Sequence, residues 1–210
     1  MHRIVGRHKS RTASRVAHIG MLCAIALAAT GCATPASHFY TLGQGPVPTA
    51  PPKAVTANVS VVVGPVSIPA IVDLPQIVVS TSANQVKLDE FNRWASPLQS
   101  NISRVVAENL VAMLGTPRVS QFQQSLNADA EFRVAIEVQS FDSAPGDAAT
   151  LNAVWIVRRT KDGKAQTGRT TVREPTATAS FDALAAAHSR ALAHMSQEIA
   201  SVIEKLASAP

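Results

Sequence analysis

The first thirty-one residues constrain this chain most, because we do not expect them to belong to the folded protein. Five basic residues and no acidic residue precede an apolar run over residues 19–29. Small residues close this segment, and Cys32 follows directly after Gly31. A basic start, a short apolar stretch and a small-residue cleavage site are the three parts of an export signal. We therefore expect residues 1–31 to be removed.

The cysteine at the cleavage site adds a second expectation. A signal that ends in Gly-Cys resembles the lipobox of bacterial lipoproteins, in which the cysteine is acylated and becomes the first mature residue. Ala29 departs from that pattern, which more often has leucine there. An ordinary secretory signal with a chance cysteine is the alternative. Ala33 and Thr34 follow Cys32, and no aspartate stands where it would retain a lipoprotein in the inner membrane of enteric-type bacteria. We therefore expect the periplasmic face of the outer membrane rather than the inner membrane.

Removal of the signal changes the composition from which function is inferred. Five of the 19 Lys and Arg residues lie in the signal, so 14 remain to balance the 14 Asp and Glu residues. The mature chain is then neutral, and its charge gives no argument for nucleic-acid binding. Cys23 lies in the signal and Cys32 carries the lipid, so neither a disulfide nor thiol chemistry is expected. The covalent lipid on Cys32 is the only non-protein group that the sequence predicts.

Strand patterns alternate with helix patterns in the rest of the chain. The strand-like segments are 39–42, 59–63, 77–80, 85–88, 131–139, 151–159 and 166–173. Apolar residues recur at helical spacing over 98–114, where Ser96 is a cap candidate, Pro97 starts the helix and Gly115 stops it, and over 181–206 behind Ser180. We therefore predict an α+β single domain with a mixed, mostly antiparallel sheet and two amphipathic helices packed on it.

The chain is expected to divide into three segments. Residues 1–31 are the signal. Residues 32–57 hold the acylated cysteine, a short first strand and a proline-rich loop or linker. Residues 58–210 form the α+β domain. No stretch after the signal reaches the ~18 apolar residues of a membrane span, so the lipid is the expected anchor.

The side chains that could carry chemistry form no catalytic constellation. The segment 163–170 has the glycine spacing of a phosphate-binding loop, but Arg169 replaces the lysine and a strand pattern replaces the helix. His188 and His194 are six residues apart, so we expect them on different faces of a helix, in solvent rather than on a metal. Asp89 and Glu90 are adjacent and point apart, as in a solvated turn. We predict that the protein is not an enzyme and holds no metal.

The most specific motifs lie between residues 63 and 110. They are Pro75-Gln76-Ile77-Val78 and Arg93-Trp94-Ala95 ahead of the first predicted helix. Together with Tyr40-Thr41-Leu42, they resemble the PqiC-like family, the auxiliary lipoproteins of ABC-type transport systems. The resemblance covers most of the mature chain.

The resemblance implies a non-enzymatic accessory subunit. Such lipoproteins would dock the distal end of MCE (mammalian cell entry) proteins, which form hollow periplasmic assemblies that carry lipid between two membranes. The implied partners are an MCE-domain protein, its membrane permease and further copies of the chain in a ring. Leu74 and Ser96 depart from the family, which more often has an arginine and an acid at these positions. The alternatives are a structural lipoprotein that scaffolds another envelope complex and, with least support, a periplasmic hydrolase.

Two places carry residue types that are common in interfaces. Asn92, Arg93 and Trp94 are predicted on the loop between strand and helix, where recognition residues often lie. The alternative is that Trp94 caps the core over the helix start. Arg169 and Arg173 lie on a predicted edge strand that could supply one of the two matching patches of a ring. The alternative there is a solvated basic hairpin.

Overall fold

The computed structural model describes residues 35–46, 56, 58–122 and 129–210. One compact unit spans Ser37–Pro210. Its strands are β1 (His38–Tyr40), β2 (Val61–Ser67), β3 (Gln76–Ser82), β4 (Gln85–Trp94), β5 (Val119–Gln121), β6 (Phe132–Ala144), β7 (Ala148–Arg159) and β8 (Ala165–Pro175), and its helices are α1 (Leu98–Leu114) and α2 (Phe181–Ser208). The predicted α+β single-domain class is confirmed. The predicted signal, Cys32 and residues 47–55 lie outside the described residues.

A five-stranded mixed sheet forms the centre of the unit, in the order β5-β2-β6-β7-β8. Strand β2 runs parallel to both of its neighbours, whereas β6, β7 and β8 form an antiparallel meander. Gly146 closes the turn between β6 and β7 at a φ of 78°, a left-handed conformation that glycine adopts without a steric cost. Strand β8 is an edge strand, as its Thr- and Arg-rich sequence predicts.

A second, three-stranded sheet has the order β1-β4-β3. Strands β3 and β4 cover the predicted strand segments 77–80 and 85–88 and pair as an antiparallel hairpin, and β1 adds to it in parallel, with Tyr40 opposite Trp94. The short strand behind the predicted acylation site is therefore paired into a sheet.

The helix ends follow the predicted caps with one correction. Ser180 Oγ accepts a hydrogen bond from Ala183 N at 3.1 Å, and Gly115 ends α1 at a φ of 65°. The expectation that Ser96 caps α1 and Pro97 starts it is wrong, because Pro97 itself is the cap residue, with an extended ψ of 130°. Its carbonyl accepts the first helical bond, from Asn101 N.

Both helices pack on the same face of the five-stranded sheet. Trp155 Nε1 donates to Thr170 Oγ1 at 3.0 Å, and the Thr170 hydroxyl donates to the Glu198 carboxylate of α2, so these side chains mark the helix side. Gly168 lies opposite Trp155, where any Cβ would overlap the indole ring. Side chains along a strand alternate between the two faces of the sheet. Arg169 and every second residue of β8 before and after it therefore lie on the face without helices.

A buried arginine joins the end of α2 to the sheet. The Arg159 side chain is fully buried, and its Nη1 donates to the carbonyl oxygens of Leu206 at 2.6 Å and Ala209 at 2.9 Å. Its Nε and Nη2 donate to the Asp162 carboxylate at 3.1 and 2.5 Å. These bonds hold the pKa of Asp162 at about 2. Arg159 thus satisfies carbonyls that a helix end leaves without partners, and it places a cation at the negative end of the helix.

Replacing Arg159 by methionine should destabilise the fold strongly. The change removes the guanidinium that bridges the Leu206 and Ala209 carbonyls to the Asp162 carboxylate, and breaking a buried pair is costly. We expect the Tm of R159M to fall by roughly 10 °C in thermal unfolding followed by circular dichroism. R158M is the matched control, because Arg158 is exposed and makes a single 3.4 Å contact to Gly163 O. Equal Tm values for the two variants would contradict this role.

Candidate docking surfaces

The segment behind β1 lies between the two helices and is held there by polar side chains. Leu42 is fully buried, and Arg104 Nη2 donates to its carbonyl at 2.6 Å. Gly43 N donates to Ser189 Oγ at 3.0 Å, and Gly45 N donates to Asn109 Oδ1 at 3.1 Å. The chain that leads from the predicted acylation site is therefore part of the folded body as far as Gly45.

Asn92 and Arg93 end strand β4, which corrects the expectation that they lie on a loop. Tyr40 Oη donates to Asn92 Oδ1 at 2.9 Å, and Asn92 N and Nδ2 each donate to Asp89 Oδ1 at 2.8 Å. Partial burial raises the pKa of the Asp89 carboxyl, but these hydrogen bonds outweigh it and hold that pKa below its usual value. Asn92 therefore ties β1 to β4. Arg93 is half-buried and donates to Glu90 O at 3.1 Å.

Trp94 belongs to the core and does not present its ring to a partner. Its side chain is 6% exposed, and its ring meets Phe141 edge-on at 6.3 Å and His188 at 6.5 Å. This position fits the alternative in which Trp94 caps the core over the helix start. A docking role for Asn92 and Arg93 stays a prediction.

His188 is buried, so the expectation that it faces solvent is wrong. Its ring stacks on Phe141 with centroids 3.7 Å apart, and its Nε2 lies 2.8 Å from Ser143 Oγ. Burial lowers the pKa of His188 to about 3, so the ring is neutral at pH 7. His188 lies four residues after Leu184 and four before Leu192, which places it on the apolar stripe of α2. This spacing was the sequence signal for the burial of His188. His194 is half-exposed and lies 3.0 Å from Glu174.

This neutral histidine should make the protein less stable in acid. The unfolded chain binds a proton on His188 below pH 6.5, whereas the folded chain does so only near pH 3. The contribution of the neutral His188 ring to the free energy of unfolding is therefore fully present above pH 6.5, and it is lost as the pH falls from 6.5 towards 3. At pH 5 the loss amounts to about 2 kcal/mol.

Urea unfolding at pH 7.5 and pH 5 measures this effect. H188Q removes the titrating ring and should show a smaller drop in unfolding free energy than the unaltered protein. H194Q is the matched control and should keep the drop. A drop of the same size in H188Q would rule out the buried neutral imidazole as its cause.

The sheet face without helices carries the predicted arginines of β8. Arg169 Nη1 donates to Gln139 Oε1 at 2.7 Å and to Asn152 Oδ1 at 2.9 Å, across two neighbouring strands. Arg173 forms an ion pair with Asp147 in the turn before β7. The two arginines are thus brought to one face and held in place, and both stay exposed.

An apolar concavity lies beside these arginines. Pro65, Ala135, Val154 and Ile156 contribute to a shallow depression of about 400 Å³. Val154 pairs in register with Arg169, so the arginine borders the depression. We call this region, formed by the depression with Arg169 and Arg173, the open face. An apolar centre with a polar, arginine-bearing rim is the composition of a protein interface.

Two negative findings apply to the part of the chain that the structure describes. No group of three or more His, Cys, Asp and Glu side chains there is arranged to hold a metal ion. Neither helix is long and apolar enough to cross a membrane.

Comparison with known proteins gives a family match and a fold match. Residues 40–200 match the family model described as the ABC-type transport auxiliary lipoprotein component. No curated protein matches the chain.

A crystal structure of an uncharacterized protein aligns with a TM-score of 0.66 and 20% identity, over 80% of this chain and 99% of that chain. Protein XCC0632 from Xanthomonas campestris aligns with a TM-score of 0.60 and 20% identity, over 80% of this chain and 96% of that chain. Both alignments support the fold described above.

Proposed function

Because this chain belongs to the ABC-type transport auxiliary lipoprotein components, we propose that it is a non-enzymatic docking subunit of an MCE-type lipid transport system. A lipid on Cys32 anchors it to the periplasmic face of the outer membrane. Its partners are an MCE-domain protein, with the membrane permease of that system, and further copies of the chain.

The open face is the observation that carries this proposal. Its apolar depression is bordered by Arg169, whose guanidinium is already fixed by Gln139 and Asn152. A pre-positioned arginine loses little conformational freedom on binding, and arginine is enriched among the residues that dominate binding energy. Packed helices cover the opposite side of this sheet, so the open face is the side that a partner can reach.

Strand β8 suits a contact between copies of the chain. It is an eleven-residue edge strand, and the side away from β7 has no strand partner within the described residues. An unpaired edge offers backbone N–H and C=O groups to a neighbouring chain. A head-to-tail ring needs two different patches on each subunit, and β8 would supply one of them.

Charge reversal on the open face tests the docking role. We expect R169E/R173E to lower the recovery of the MCE-domain protein about tenfold in mass spectrometry of cross-linked membranes, because it reverses two rim charges. K205E, an exposed reversal on α2, is the control and should leave that recovery unchanged. Recovery of only the chain itself and general envelope proteins, even without substitution, would support a structural lipoprotein instead.

The same double variant tests the ring. If β8 forms the contact between copies, R169E/R173E should lower the mass of the purified oligomer, whereas K205E should not. An unchanged oligomer mass would remove β8 from the ring interface without affecting the docking proposal.

Acylation of Cys32 is tested by C32S. Neither helix of the described residues can replace the lipid as an anchor. We expect C32S to be lost from the outer-membrane fraction, because it lacks the thiol that would carry the lipid. Continued sedimentation of C32S with outer membranes would contradict a lipid anchor at this cysteine.

A further inference from the structure

Exposed apolar side chains concentrate on the three-stranded sheet. Seven large apolar side chains are exposed among the described residues, and four of them lie on β1 and β4: Phe39, Val86, Leu88 and Phe91. Phe39 is 65% exposed, the largest fraction of the seven. Single exposed apolar residues are ordinary, but a group on two paired strands marks a contact surface.

The strand register places three of the four exposed side chains on one side of the sheet. Phe39 lies opposite Arg93, and Arg93, Leu88 and Val86 lie opposite three alternate residues of β3, which are Gln76, Val78 and Ser80. Phe39, Val86 and Leu88 therefore project from the same side. Tyr40 and Trp94 follow in register and point the other way, towards the core. Phe91 is exposed between Leu88 and Arg93, where the register of β4 shifts.

The charges around these side chains suit a phospholipid surface. Arg93 pairs in register with Phe39 and shares its side of the sheet, whereas Lys87 points to the other side from Val86 and Leu88. The Asp89 carboxylate is turned into the strand by hydrogen bonds from Asn92 and from Phe91 N, which leaves Glu90 as the exposed acid of this stretch. Basic side chains beside apolar ones favour binding to membranes that contain anionic lipids.

The predicted anchor restricts how far this sheet can be from a bilayer. Six residues, 33–38, separate Cys32 from Phe39. A fully extended chain of that length spans at most about 25 Å. Strand β1 cannot detach easily to lengthen the tether, because Ala95 N donates to Tyr40 O at 2.8 Å and Arg104 holds the Leu42 carbonyl.

We propose that the three-stranded sheet contacts the lipid bilayer directly, with Phe39, Phe91, Val86 and Leu88 entering the boundary between headgroups and acyl chains. The contact orients the domain on the membrane to which Cys32 tethers it. This inference rests on the anchor in the proposed function, and it adds a second attachment point that the anchor alone does not require.

A bilayer fits this surface better than a protein partner does. A standard protein interface covers about 800 Å² on each partner. Four partly exposed side chains on two strands provide far less. A membrane contact needs only that apolar side chains enter the interface, because the proposed lipid on Cys32 already holds the domain at the bilayer.

Tryptophan reporters test the contact in the full-length acylated protein. F39W and F91W each add a fluorophore to the proposed surface, and L88W is a third reporter in case one of them does not fold. F122W is the matched control, because Phe122 is also strongly exposed but lies outside the three-stranded sheet. Both native tryptophans are buried and add the same background to every variant.

The variants are reconstituted in vesicles of phosphatidylethanolamine and phosphatidylglycerol with brominated acyl chains, which quench tryptophans at the depth of the bilayer. We expect quenching of F39W and F91W to exceed that of F122W by about threefold or more, since interfacial side chains reach the acyl boundary. Equal quenching in all variants, or a blue shift without quenching, would overturn the proposal. The second result would indicate that protein covers the surface.

Flotation of the vesicles separates this inference from the function on which it rests. Protein that floats with the vesicles but shows no selective quenching contradicts only the bilayer contact of the sheet. Acylated protein that does not float contradicts the lipid anchor, and the bilayer contact with it.

Discussion

The burial of both helices against one face of the five-stranded sheet is the constraint on which the rest of the structure depends. The β6–β8 meander buries large apolar side chains on its helix side, where Trp155 and Thr170 meet α2. Burial of that surface is the main source of stability for the described residues, which contain no cysteine. Because nothing among the described residues packs on the other face in the same way, that face keeps a polar rim and a small apolar centre. The surface available to partners is thus a consequence of how the core is built.

The helix pair also determines how the chain enters the fold. Polar side chains of α1 and α2 bind the backbone of residues 42–45, and Arg104 is the central donor. Backbone groups in such a groove need partners, because buried polar groups without hydrogen bonds are costly. The result is a short connection between the predicted lipid and a rigid body. A domain that is held this way has a restricted range of positions above a membrane, as a docking subunit requires.

Local patterns in the sequence predicted most of the secondary structure. The strand pattern over 131–139, the cap at Ser180 and the stop at Gly115 all depend on neighbouring residues, and the structure confirms them. Strand β5 was missed because three residues carry too little periodicity to be recognised, although β2 pairs with them in parallel.

Contacts between distant parts of the chain could not be predicted in the same way. The sequence pattern indicates only that Arg159 is one of several basic residues of a hairpin, yet its side chain caps a helix that ends about fifty residues later. The sequence predicts Asn92 on a loop, but its side-chain hydrogen bond with Tyr40 joins it to a strand pair. The helical spacing places His188 on the apolar stripe of α2, but its stacking on Phe141 and its hydrogen bond with Ser143 depend on residues of β6. In each case the partner lies far away in sequence, so a local pattern carries no information about it.

We propose that the transport partner binds the open face and not the helix side of the five-stranded sheet. Site-specific photo-cross-linking through an added cysteine measures this, since the proposed lipid on Cys32 would leave the added thiol as the one thiol of the mature chain to label. T171C places the probe on the open face, and K205C places it on α2 at similar exposure. We expect an adduct with an MCE-domain protein from T171C and none from K205C. An adduct from K205C alone would show that the partner binds the helix side.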